Sequence, residues 1–409
     1  MGRAAPVSLG LEYLLVDTRS IEIPILLVSI SVYSIRVAVA LDLNPFIYSR
    51  PVGPEQLIDR ESELSRMLEL ANVGQASRLE APRRYGKTTL LGKLALDAEG
   101  QGLAVAAVDF SSVFSLPDAA ARMQVAYRDL QGPARRTAGE VLRTLRVGLS
   151  AGPLSASAGG HNGHAEKDLI ELLDLPLRIF ERTGSRTLVI FDEFQDLLAL
   201  RDGLDGLVRS RIQHHGDAAS YVFAGSQTSL LRELFADRER PLYGQAQPIA
   251  LGPLPAAPLA AYMSERFERA GVDIESVLDT FLNLVAGHPQ RAMLVAHHLW
   301  RAFASTSEPL AAIDRAVEES FAELGEAFES TLHSLRPAER AILVWLATDR
   351  PSVYARSTLE RLGLAKTQAQ RAVLSLEDRG DLRPVGRGRW EFVDPMLAEW
   401  LRGTFAPAD

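Results

Sequence analysis

The sequence predicts an α/β chain: a parallel sheet with helices on both faces, then an all-helical segment, then a terminal unit of helices and a hairpin. Three observations predict it. Apolar strand-like runs alternate with helical spacing up to about residue 251, the pattern of a parallel sheet. Leu254 onward carries helical spacing and no strand signal until the last quarter. The segment from Pro337 to Val393 then reads helix, helix, turn, helix, hairpin, the order of a winged helix.

The first strand lies around Leu79 and leads into Ala81, Pro82, Arg83, Arg84, Tyr85, Gly86, Lys87 and Thr88. This stretch meets the phosphate-binding-loop pattern G-x-x-x-x-G-K-[ST], with alanine at the first glycine position. Gly86 permits the tight turn that aims backbone N–H groups at phosphate oxygens. Lys87 neutralises the β- and γ-phosphates, and the Thr88 hydroxyl is suited to Mg²⁺. Helical spacing from Thr88 through Thr89 to Ala98 sets the phosphates at a helix N-terminus. Ala81 needs only a negative φ, so ATP binding is expected to survive the missing glycine.

Gly102 to Asp109 reads as a second buried strand, residues 117–150 as helical, and Lys167 to Arg182 as helix again. A helix also begins at Leu57 and runs to about Asn72. Thr187 to Phe191 is an unbroken run of β-formers ending in Asp192 and Glu193. Such a run suits a central strand, and ligands bind at the carboxyl ends of strands in these sheets. Asp192 is expected to hold Mg²⁺, and Glu193 to orient and deprotonate the attacking water. Tyr221 to Ser226 and Ile249 to Leu251 supply the last strands.

Within 356–390 there are eight Arg or Lys against four Asp or Glu, although the whole chain carries a net charge of −8. Lys366, Thr367, Gln368, Gln370 and Arg371 fall at the start of the third helix, where base edges of double-stranded DNA would be read. Arg387 and Arg389 flank the wing tip, suited to phosphates or a minor groove. The competing reading is a winged helix that contacts protein.

The chain has 409 residues, enough for two or three domains, with 47% hydrophobic and 23% charged residues, as in globular proteins. The absence of cysteine excludes disulfides, thiolate-ligated zinc and thiol catalysis, and fits a cytoplasmic protein. The expected division is an extension at 1–44, a core at 45–252, a helical lid at 253–330 and the winged helix at 331–404. Ile23 to Leu41 is long enough to span a bilayer. Arg36, Pro24 and its serines argue against an anchor, and Glu12, Asp17 and Glu22 against a signal peptide. The remaining reading is an extension dispensable to function. His161 and His164 lack the companions a metal site requires and are expected to decorate a Gly-rich loop.

Taken with Arg60 to Leu64, Phe191 to Gln195 and Ala224 to Ser226, the phosphate loop resembles that of archaeal and bacterial AAA-type ATPases. These are relatives of the STAND and origin-recognition ATPases. The resemblance covers residues 45 to about 403. It implies that Ser226 is a first sensor of the γ-phosphate and that Arg291, in the Gly287 to Arg291 lid motif, is a second. It also implies that Arg238 or Arg240 acts as an arginine finger on a neighbouring subunit, and that Asp59 and Arg60 bracket adenine. The expectation is an ATP-dependent, ATP-hydrolysing switch, with ATP or ADP, DNA, a protein partner or a second copy as partners. An interaction scaffold is the alternative.

Overall fold

The computed structural model describes residues 44–144, 162–348, 352–386 and 388–405. The extension up to residue 43, His161 and Arg387 lie outside them. Among the described residues no helix is long and apolar enough to cross a membrane.

Five parallel strands form one sheet: β1 (Ser77–Glu80), β2 (Ala104–Asp109), β3 (Thr187–Asp192), β4 (Ala219–Gly225) and β5 (Gln247–Ala250), in the order β2-β3-β4-β1-β5. Alternate side chains enter opposite cores, because successive residues of a strand point to opposite faces. Leu188, Ile190, Val222, Ala224 and Leu79 pack on one side against α1 (Glu61–Asn72) and α2 (Lys87–Gly100). Val189, Phe191, Tyr221 and Phe223 pack on the other. That second core is covered by α3 (Leu116–Arg128), α4 (Gly132–Thr144), α5 (Asn162–Leu173), α6 (Leu175–Thr183), α7 (Phe194–Leu198), α8 (Leu204–Ile212) and α9 (Thr228–Ala236). Phe191, Phe194, Phe223 and Phe235 meet there with ring centroids 4.8 to 6.5 Å apart. Full burial of each such ring contributes roughly 1.5–3 kcal/mol.

The structure corrects four details of the sequence reading. β2 lies at the sheet edge, with Ala107 and Asp109 exposed, not inside it. The described part of 117–150 is two helices, because Gly132 adopts φ 60° ahead of Pro133. The helix expected over 167–182 is likewise divided at Asp174, with Pro176 in the first turn of α6. Finally, α1 begins at Glu61 and not Leu57, since Asp59 and Arg60 are both left-handed, at φ 57° and 85°.

The helical region comprises α10 (Ala256–Arg269), α11 (Glu275–Val285), α12 (Pro289–Phe303) and α13 (Pro309–Ser334). Next come α14 (Pro337–Ala347), α15 (Arg356–Leu362) and α16 (Lys366–Asp378). An antiparallel hairpin follows, β6 (Leu382–Gly386) with β7 (Arg389–Phe392), and then α17 (Pro395–Phe405). One continuous apolar core runs from α10 to α17. The stretch 44–48 belongs to it. Phe46 packs on Phe267 and Trp300, and the Asn44 side-chain amide donates to the His297 carbonyl.

Candidate active site

The carboxyl ends of β1, β3 and β4 converge. β1 delivers the loop 81–86, where Ala81 is fully buried and lies outside the left-handed region. The left-handed residues are Arg84 and Gly86, at φ 67° and 84°. Gly86 precedes α2 without a side-chain cap, and a Cβ built on it would meet nothing within 4 Å. The first N–H groups of α2 are thus left without a side-chain cap, as in helix N-termini that receive anions.

Lys87 is 7% exposed, and its ammonium bonds both Asp192 and Glu193. Glu193 holds a left-handed φ of 49° after the strand end. This turns its other oxygen toward three donors: Ser226 N–H at 3.0 Å, Ser226 Oγ at 2.9 Å and Gln195 Nε2 at 2.6 Å. Burial alone would raise the Glu193 carboxyl, but the hydrogen bond from Lys87, with those from Gln195 and Ser226, holds it down at about 2. Asp192 has fewer donors, namely Lys87 and the Glu193 N–H. Its carboxyl is raised, because burial outweighs Lys87. The carboxylate with more donors is thus the stronger acid, as expected when hydrogen bonds stabilise the charged form.

Most of the nominated residues gather here, and some do not. Arg83, Arg84 and Thr88 are exposed around the loop and Pro82 is half-buried. Thr89 is buried and its hydroxyl points back to the Val52 carbonyl at 3.4 Å, so it anchors the preceding segment. Asp59 and Arg60 stand at the start of α1. Arg60 donates to the Gly252 carbonyl at 2.5 Å and to Glu63 at 3.1 Å. Arg240 is paired with Glu233 at 2.6 Å, while Arg238 is exposed. Arg291 is buried and held by Asp394. Lys366, Thr367, Gln368, Gln370, Arg371 and Arg389 are exposed, and the Gln368 side-chain oxygen caps its own helix by accepting from Ala365 N–H at 3.0 Å. His164 is exposed, and among the described residues no cluster suited to a metal appears.

Solved structures share this fold over most of the chain. The Walker-type ATPase of Pyrococcus abyssi is 20% identical, with a TM-score of 0.61, covering 89% of this chain and 99% of its own. The ORC2 protein of Aeropyrum pernix, solved in ADPNP–ADP complexes, is 16% identical, with a TM-score of 0.57 over 88% of this chain and 96% of its own. The likeness at these identities is one of fold. No family model matches the chain, and no curated protein matches it by sequence.

Two participants escaped the sequence reading of roles. Gln195 stands two residues beyond Glu193 in the quoted motif and braces its carboxylate. Gly225 is small for that reason, since a Cβ there would collide with the Gln195 amide. His288 is the other. Its Nδ1 accepts the Arg291 N–H at 3.3 Å, capping α12, and its ring meets Tyr85 edge-on at 4.9 Å. Only the preceding Gly287 and following Pro289 hinted at a cap.

Burial pushes the His288 ring down to about 4, despite nearby Asp394. A depressed histidine is neutral when folded and protonated when unfolded between these pH values, so stability is full above about pH 6.5 and falls toward pH 4. The expected loss is roughly 3 kcal/mol at most. Denaturant titrations of the wild type and His288→Asn should show it, because asparagine keeps the cap without titrating. The variant should have the flatter profile in this window. His215, also lowered by burial, contributes the same slope to both proteins.

Proposed function

We propose that this chain is a Mg²⁺-dependent ATPase switch whose nucleotide state controls a C-terminal winged helix that contacts DNA. The observation that carries the reading is the buried Lys87 bridging Asp192 and Glu193, directly behind an uncapped helix N-terminus. The fold it shares with a Walker-type ATPase and with an ORC2 protein solved with ADPNP and ADP supports it.

In this reading residues 45–252 form the ATPase core, 253–330 the lid and 331–404 the winged helix. ATP phosphates lie along 81–88, and Lys87 leaves its carboxylates to meet them. The residues fit a hard cation: the Thr88 hydroxyl and the Asp192 carboxylate are the oxygen donors Mg²⁺ prefers. When bound, Mg²⁺ supplies charge neutralisation at the terminal phosphates. Glu193 accepts the proton of the attacking water at its carboxylate. Ser226, one strand away, orients the same carboxylate and the γ-phosphate, and Arg291 senses that phosphate from the lid. Lys366, Thr367, Gln368, Gln370, Arg371 and Arg389 present the DNA face. Three of its cations, Lys366, Arg371 and Arg389, have no carboxylate partner among the described residues.

ATP turnover with and without double-stranded DNA tests this. Stimulation by DNA, weakened by salt and by Arg389→Ala, is the expected result. Turnover indifferent to DNA, with no salt-sensitive DNA binding, would transfer the winged helix to a protein partner.

A further inference from the structure

Arg291 is the most fully engaged cation of the site region. It is 3% exposed. Its Nε lies 3.1 and 3.0 Å from the two Asp394 oxygens, its Nη2 bonds the second of these, and its Nη1 donates to Gln290 Oε1 at 3.0 Å. Asp394 belongs to the C-terminal unit, 103 residues away in the chain. Its Oδ1 also accepts the Met396 N–H at 3.1 Å, fixing the start of α17. One residue earlier, the Val393 carbonyl accepts the Tyr85 hydroxyl at 2.9 Å, within the phosphate loop itself. Tyr85 touches His288, which caps the helix that carries Arg291. Loop, C-terminal unit and lid thus close a circuit through four side chains.

We propose that this circuit is a latch in which the Asp394 carboxylate and the terminal phosphate of ATP compete for Arg291. The inference rests on the ATP reading above and adds its means of transmission. Asp394 takes the Nε–Nη2 edge of this 3% exposed guanidinium and Gln290 one proton of Nη1, so a phosphate that engages the same paired N–H groups has to displace the carboxylate. In the latch a triphosphate takes that edge of Arg291 by releasing Asp394, and the release loosens Val393 from Tyr85. A diphosphate lacks the γ-phosphate and leaves the latch shut. The differential contact required to shift two states is the γ-phosphate. Linkage makes the effect reciprocal: a ligand that draws the C-terminal unit away raises the preference for ATP over ADP.

The test uses the full chain, with ADP and the slowly hydrolysed ATPγS as probes. Affinities for both are measured by calorimetry for wild type and Asp394→Asn, which keeps the side chain's size and removes its charge. The expected result is a rise in the ATPγS-to-ADP affinity ratio of about 5- to 150-fold, the usual range of such couplings. A merely structural ion pair would weaken both nucleotides alike and leave the ratio unchanged, which overturns the latch while leaving the ATPase reading intact. A wild type that binds neither nucleotide overturns both. Hydrogen exchange of the wild type at amides 391–396 decides the case even where the variant does not fold. ATPγS should speed exchange there relative to ADP, and equal protection in the two states removes the proposal.

Discussion

Glu193→Gln is expected to lower ATP turnover by about 10²- to 10⁴-fold, the range general-base removal costs, while ATP affinity changes little. The carboxylate is held at about 2, so it is ionised throughout the neutral range and accepts hydrogen bonds from Ser226 and Gln195. So acidic a group is a weak base, and its strongest donor is Lys87. Once a phosphate draws Lys87 away, the bond that most depresses the carboxyl is gone and its basicity rises when water is in place. Glutamine preserves the shape but cannot take a proton. Single-turnover phosphate release beside a separate binding measurement checks this. Loss of binding and turnover together would mean that Glu193 organises the loop and is not the base.

Lys87→Ala should have the second large effect, and on two properties at once. The side chains of Asp192 and Glu193 are only 15% and 16% exposed. Removing their shared cation leaves two neighbouring carboxylates uncompensated. The breaking of a buried pair of this kind costs about 3–5 kcal/mol. The variant should therefore unfold at lower denaturant as well as fail to bind ATP. Adding Glu193→Gln to Lys87→Ala should restore part of the lost stability, since one charge of the repelling pair is gone. A double-mutant cycle measures that coupling, and strictly additive losses would show that the lysine stabilises the fold by packing alone.

The loop at 81–88 and the strand ending in Asp192 were legible because each is local: a motif of fixed spacing and an uninterrupted apolar run. The neighbour relation of β3 and β4, which brings Ser226 to Glu193, followed from resemblance and is seen in the sheet order. The breaks at Gly132 and Asp174 were missed because apolar spacing continues through both, so periodicity outvotes a single breaker. The exposed edge of β2 was missed because its alanines read as apolar whichever way they face. The pairing of Arg291 with Asp394 was beyond reach, because no local rule links residues 103 positions apart. Sequence could nominate Arg291 as a cation for the site; its carboxylate partner emerged only from the fold, which brings Asp394, just before α17, onto it.

The seating of Phe46 among Phe267 and Trp300 has a consequence for the order of events at the ribosome. The stretch it belongs to leads directly into the segment that Thr89 anchors. All five strands of the sheet have been made by residue 250. Phe46, however, has no pocket until α12 has emerged, some 250 residues after Phe46 itself. At about 5–20 residues per second that interval is roughly 10–50 s. Only its last part, the roughly 50 residues or 3–10 s between the end of β5 and the end of α12, follows completion of the strands, and for that time the sheet and phosphate loop can assemble with their leading segment unclasped. A chain stopped at residue 252 is therefore a captured biosynthetic intermediate, with an aromatic ring still searching for the helices that will receive it.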